Sequence, residues 1–161
     1  MNNLGVGVAK ADGMVIFVRG GVTGDRCKIK LIKVLKHYAV AILVELLIPS
    51  EHRYHDGCTV HACGGCVYQN IRIDYENELK REYVRSAFRK VGLSEICVEP
   101  VRYTGAFTNY RNKVQYPLAQ DSKTGKIYFG FYREKTHQMI PVDRCLIQCQ
   151  AADLAKDAVV A

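Results

Sequence analysis

Three cysteines fall within nine residues in the stretch Cys58-Thr-Val-His-Ala-Cys63-Gly-Gly-Cys66-Val-Tyr-Gln69. The two glycines between the last pair let the backbone turn sharply, bring two sulfurs to one centre and leave amides free to point at them. Thiolate is the ligand form that soft metals and iron–sulfur clusters take. A disulfide with a spare thiol is the plainer alternative, and a chain without an export signal argues against it. Three ligands are one short of a tetrahedral set, so the loop needs a fourth from elsewhere in the chain.

Four residues separate Cys58 from Cys63 and two separate Cys63 from Cys66. That run is found in plant-type [2Fe–2S] ferredoxins, whose fourth cysteine lies far downstream. Cys97 could fill that place, but such ferredoxins are usually acidic, whereas this chain carries a net charge of +7. Cys145 and Cys149 are the other lenders, and Cys27, among apolar neighbours, reads as a core thiol. A four-cysteine zinc site competes with a cluster, because tetrahedral thiolates suit zinc equally well.

Composition sets the frame for this loop. The chain has 161 residues, 48% of them hydrophobic and 24% charged, as in an ordinary soluble globular protein. Seven cysteines, an odd number, point to a reducing compartment and metal chemistry rather than a disulfide framework. The start, Met-Asn-Asn-Leu-Gly, has no basic and apolar leader, so the expected location is cytoplasmic. The apolar run from Tyr38 to Ile48 is broken by Glu45 and is too short for a membrane span, so no membrane partner is expected. The basic excess sits in the first 50 residues, with seven Lys/Arg against three Asp/Glu, and favours a polyanionic partner.

The spacing predicts short strands over residues 5–50: Val6–Ala9, Met14–Val18, Cys27–Leu35 and Tyr38–Ile48. Turns at Asp12-Gly13, Gly20-Gly21 and Gly24-Asp25 divide them. In the third, Lys28, Lys30 and less regularly Lys33 alternate with Ile29 and Leu31, so one face presents ammonium groups. This suits a small OB-type barrel that binds single-stranded nucleic acid. From Asp74 to Val91 the period becomes helical, with a core-facing stripe of Tyr75, Leu79, Tyr83/Val84, Ala87/Phe88 and Val91. Asp74 is placed to cap the start and Gly92 the end. Strands are then expected at Val98–Tyr103, Lys113–Leu118, Lys126–Tyr132 and Gln138–Val142, with a hairpin loop at Asp121–Gly125. Before the second of these, Asn109-Tyr-Arg-Asn-Lys113 gathers cations, amides and a ring, as an RNA-facing cluster would; turn roles for the asparagines fit equally. A helix begins at Ala152 and runs to the last residue, so the chain reads as cut within it.

These blocks together resemble the cluster-containing RNA 5-methyluridine methyltransferases, which methylate uracil C5 in ribosomal and transfer RNA. Gly5-Val-Gly-Val-Ala-Lys10 with Asp12–Val18 and Gly24-Asp25 resembles their N-terminal TRAM domain, an OB-like barrel. Cys63-Gly-Gly-Cys66-Val-Tyr-Gln69 resembles their cluster motif, and Asp74-Tyr75 through Leu79-Lys80 the helix after it. Tyr110-Arg-Asn-Lys-Val-Gln115, Gly130-Phe131-Tyr132 and Val142-Asp-Arg-Cys145 resemble their central β domain and fourth ligand. The resemblance implies a [4Fe–4S] cluster on Cys58, Cys63, Cys66 and Cys145, serving folding or RNA positioning rather than redox chemistry.

It departs from the family in three ways. Its first two cysteines are one residue closer, no barrel strand precedes Gly5, and the S-adenosylmethionine-binding methyltransferase domain is absent. The expected fold is therefore α+β, mainly β: an OB-like barrel over residues 1–50, a cluster-bearing α+β domain over 51–150, and a linker helix over 151–161. The implied role is RNA recognition, on 23S rRNA, within a larger S-adenosylmethionine-dependent enzyme. No residue of this chain is assigned to catalysis, and the chain alone is expected inactive. Lys28, Lys30, Arg111 and Lys113 are the expected RNA contacts. The alternatives are a stand-alone RNA-binding module with a cluster or zinc, and a [2Fe–2S] electron carrier.

Overall fold

In the computed structural model, residues 1–55, 57–60, 62–134 and 136–160 are described, the side chain of residue 160 excepted. His61 of the cysteine loop and Ala161 lie outside the described residues. The chain divides into two compact units, and the division does not follow sequence order. One unit holds Met1–Asp56 with Val67–Arg102; the other holds Gly57–Cys66 with Tyr103–Ala161.

The first unit is built on four strands, β1 (Gly7–Ala11), β2 (Met14–Arg19), β3 (Arg26–Val34) and β4 (Tyr38–Ile48), in the order β1-β2-β4-β3. β1 and β2 form a hairpin through Asp12 and Gly13, both at positive φ (48° and 78°), where glycine costs nothing and aspartate is tolerated. The chain then crosses to the far edge as β3 and returns antiparallel as β4, which runs parallel to β2. Ile16 and Val18 of β2 pack with Ala39 and Ala41 of β4, both fully buried, while Met14 and Ile29 close the cluster. Cys27, expected in the core, is half-buried.

The expected barrel is an open sheet. β1 and β3 stand at opposite edges, and no described strand joins them. An OB barrel closes with five strands, and four do not bring the edges together. Lys28 and Lys30 do face out from β3 beside inward Cys27 and Ile29. A register shift between Leu31 and Lys33 breaks the alternation there.

The loop into β3 is pinned by a half-hidden ion pair. The Asp25 side chain is 2% exposed and that of Arg53 19%. Arg53 donates Nε to Asp25 Oδ1 at 2.8 Å and an Nη to Oδ2 at 2.6 Å, and also reaches the Gly20 carbonyl. The Val22 and Ser50 amides donate to the same carboxylate. Burial alone would raise the Asp25 pKa, but the Arg53 bonds, the two amides and the Arg53 charge outweigh it and hold the carboxyl below its usual range.

Helix α1 (Ile73–Lys90) follows the expected period, with two corrections. The residue at the cap is Arg72, with no side-chain cap bond; Asp74 lies in the first turn and pairs with Arg72 at 3.0 Å. An acid there still complements the positive end of the helix dipole. The apolar stripe is not core: no residue of α1 is buried, and Tyr83 and Val84 are exposed. The helix is held instead near its start by a His52–Tyr75 stack at 3.8 Å and at its middle by Arg81 Nε donating to the Val98 carbonyl at 2.7 Å. Gly92, at φ 80°, ends it as expected, and Glu76–Lys80 pair along its side.

The second unit carries a three-stranded antiparallel sheet, β5 (Leu118–Gln120), β6 (Ile127–Tyr132) and β7 (Met139–Pro141), with α2 (Gln150–Val160). The β5–β6 connection is the expected Asp121–Gly125 loop, where Asp121 Oδ1 accepts from the Lys123 and Thr124 amides. Two expected strands shift or vanish. β5 starts only at Leu118, because Pro117 has no amide proton to donate to the ladder. Val98–Tyr103 forms no strand: Pro100 interrupts it, and the Val98 carbonyl is taken by Arg81. The observed class is thus α+β, mainly β, with open sheets.

Candidate nucleic-acid interface and cysteine loop

The second unit gathers the Asn109–Lys113 segment, the cysteine loop and the residues after Cys145. Asn109 sits at φ 56° and donates its amide to the Leu146 carbonyl at 2.9 Å. The Arg111 amide donates to the Ile147 carbonyl at 2.8 Å, and the Cys149 amide to the Arg111 carbonyl at 2.9 Å. These bonds clamp the segment to residues 146–149, so Arg111 and Lys113 stand exposed on a fixed backbone. Asn109 thus serves the turn, and the neighbouring cations are left outward.

The cysteine loop docks on the β6–β7 connection of the same unit. Cys63 bridges Arg133, and the Glu134 amide donates to the Ala62 carbonyl at 3.2 Å. Of the two glycines, Gly64 is the one that sterics require. A Cβ on Gly64 would stand 2.9–3.2 Å from Glu134, and one on Gly65 3.4 Å from the Cys63 sulfur. Between these segments lies a cavity of about 580 Å³, bordered by Cys63, Gly64, Arg111, Lys113, Phe131 and Gln148 among others.

All four expected ligands, Cys58, Cys63, Cys66 and Cys145, belong to this unit, while Cys97 belongs to the other. Cys58, Cys63 and Cys145 are half-buried and Cys66 is exposed. As a donor set, four thiols on one folded unit fit a cluster or zinc. Among the described residues, no group of three Cys, His, Asp or Glu side chains stands close enough to hold a metal. Lys28 and Lys30 lie in the first unit, and Lys28 is paired with Glu45 at 2.7 Å, both side chains more than half exposed.

Three features escaped the sequence reading. Tyr116 packs between Phe129 and Phe131 and donates its hydroxyl to Asp153 of α2 at 3.0 Å. Burial first, and then that bond and the Asp153 charge, push its phenol well above the usual range. Arg133 adds a third cation at the cavity, directly after the aromatic pair Phe131-Tyr132. Gln148 is fully buried, and no sequence signal marks it. No helix of the described residues is long and apolar enough to cross a membrane.

No family model matches the chain. It is 34% identical over 150 residues, 92% of this chain, to an uncharacterised RNA methyltransferase of Synechocystis sp., and covers 32% of that protein. Similar proteins include uncharacterised RNA methyltransferases of Clostridium acetobutylicum, at 33% over 94% of this chain, and of Bacillus cereus, at 38% over 92%. The chain spans about a third of the length of these curated relatives, 33% and 32% for the last two. Over nearly its whole length, the chain is thus similar to about a third of each of these RNA methyltransferases.

Proposed function

We propose that the chain is the RNA-recognition part of an S-adenosylmethionine-dependent (uracil-5-)-methyltransferase that acts on 23S rRNA. In this reading it carries a structural [4Fe–4S] cluster on Cys58, Cys63, Cys66 and Cys145. The observation that carries the reading is the cavity where the Cys63-Gly64 turn meets Arg111 and Lys113, in a chain similar to RNA methyltransferases. The residues present act by binding and positioning. Arg111 and Lys113 hold backbone phosphates, the rings near the cavity offer stacking surfaces, and the clamp to residues 146–149 fixes their spacing. Lys28 and Lys30 on β3 supply further phosphate contacts, Lys28 by giving up an exposed pair with Glu45 that is worth little. The cluster, when bound, supplies a covalent cross-link between the loop and the segment around Cys145, and so stabilises the platform. Methyl transfer itself belongs to protein beyond these residues.

Iron and acid-labile sulfide counting after anaerobic purification tests the cluster. About four of each per chain are expected. Cys145→Ser should abolish the content and Cys97→Ser should preserve it. Zinc without sulfide, or cluster loss in Cys97→Ser alone, would overturn the ligand set.

A further inference from the structure

Gln148 is 0% exposed, and neither its side-chain Nε2 nor its Oε1 has a hydrogen-bond partner. A buried polar group left without a partner loses its bonds to water with nothing in return, and native proteins rarely keep one. Two on one side chain mark a place where a partner belongs. The residue borders the cavity of about 580 Å³ and sits in the backbone turn closed by its own amide on the Cys145 carbonyl. That turn fixes where its side chain starts. The volume lies within the roughly 300–1,000 Å³ of small-ligand sites.

The lining says which ligand. Phe131 and Tyr132, successive residues of β6, bring aromatic character to the lining, and Arg111, Lys113 and Arg133 outnumber the Glu134 carboxylate there. A carboxamide presents one donor side and one acceptor side by side, and a nucleobase presents the complement on its Watson–Crick edge. We propose that this cavity seats one unstacked nucleobase of a bound RNA strand, with the Gln148 carboxamide pairing with its Watson–Crick edge. The proposal rests on the RNA-binding reading and deepens it. It assigns sequence-independent grip to the cations and base contact to Gln148. Phosphates of the same strand meet Arg111 and Lys113, an aromatic face stacks on the base, and the base edge reaches Gln148 as the side chains above it part. Both orphaned atoms are then satisfied at once, which a single anion could not do.

The test compares a ten-nucleotide RNA of mixed sequence with an abasic decamer of the same ribose-phosphate backbone, by fluorescence anisotropy on the whole 161-residue chain. The wild type should prefer the base-bearing strand. Gln148→Leu should weaken that strand roughly tenfold and leave the abasic strand unchanged. In case the variant misfolds, the wild type labelled with ¹⁵N gives a second reading. The Gln148 side-chain amide resonances should shift with the mixed RNA and not with the abasic one. Equal wild-type affinity for both strands would overturn the base pocket and leave RNA binding intact. Binding of neither would overturn both, and a folded Gln148→Leu with unchanged preference would remove Gln148 from the interface.

Discussion

Replacing Asp25 by alanine should strongly destabilise the first unit. The carboxylate accepts four hydrogen bonds, two from Arg53 and one each from the Val22 and Ser50 amides, at 2.6–3.0 Å. Its loss strands two amides in a part-buried loop, at roughly 1–3 kcal/mol each, and leaves a guanidinium without its anion. Breaking a buried pair costs about 3–5 kcal/mol. Because water still reaches Arg53, whose side chain is 19% exposed, the low end applies, about 3 kcal/mol. That is a large share of the roughly 5–15 kcal/mol that holds a domain together. Urea unfolding followed by circular dichroism should show the midpoint fall by about 1–3 M.

Asp25→Asn keeps the shape but removes the charge, and should fall between wild type and alanine. The pH dependence has a definite sign. The folded pKa of Asp25 is depressed, so its stabilisation is present above the unfolded value of about 3.9 and is lost as pH falls through the folded value. Asp25→Asn should lack this acid-side loss. A midpoint for Asp25→Ala within experimental error of wild type would refute the reasoning, since it would mean that the pair contributes no more than an exposed one.

Other residues give sharper local tests. Gly130→Ala would set a Cβ 2.2 Å from the Ile140 carbonyl oxygen, pushing β7 off β6. A loss of about 1–3 kcal/mol is expected in thermal unfolding, and an unchanged melting temperature would contradict the close approach. Tyr116→Phe removes the bond to Asp153 and should cost about 1 kcal/mol. In wild type, Tyr116 should resist ionisation in an ultraviolet titration beyond the usual pKa of about 10, as should Tyr68, which burial also raises, and Tyr116→Phe should remove one of these two late steps. Because the Tyr116 phenol is raised, its stabilisation is present below that pH and lost as pH climbs through the folded value. Arg111→Ala and Lys113→Ala should each lower the slope of log affinity against log salt by about one, uniformly across RNA sequences. An unchanged slope would remove them from the phosphate path.

What was legible in the sequence followed from period and turn chemistry. The first four strands, α1 and the Asp121–Gly125 loop stand close to where alternation, the 3.6 period and glycine placed them. What failed was whatever depends on a neighbour. The α1 stripe has the spacing of a core face, but no sheet of the described residues covers it, and periodicity cannot report whether a face finds a partner. Pro117 and Pro100 each removed a ladder donor from segments whose β-branched content alone suggested strands. Gln148 was illegible for a related reason. An amide's burial is decided by the segments that fold over it, here residues far away in sequence that line the same cavity.

The choice of fourth ligand turns on the same distinction between chain distance and spatial grouping. Cys97 is much the nearer to the loop in sequence, and a short closure costs less entropy than a long one. Yet the loop Gly57–Cys66 leaves its sequence neighbours on both sides and groups with Tyr103–Ala161, which holds Cys145 and Cys149 and excludes Cys97. Loop-closure cost grows only slowly with length, so the extra chain to Cys145 weighs little against bonds that already seat the loop. Those bonds are the Glu134 amide on Ala62 and the Cys63 bridge to Arg133. If they guide the loop, Glu134→Pro, which deletes the donating amide, should lower cluster content without touching any cysteine. A variant that retained about four iron atoms per chain would mean that the cysteines alone draw the loop into place.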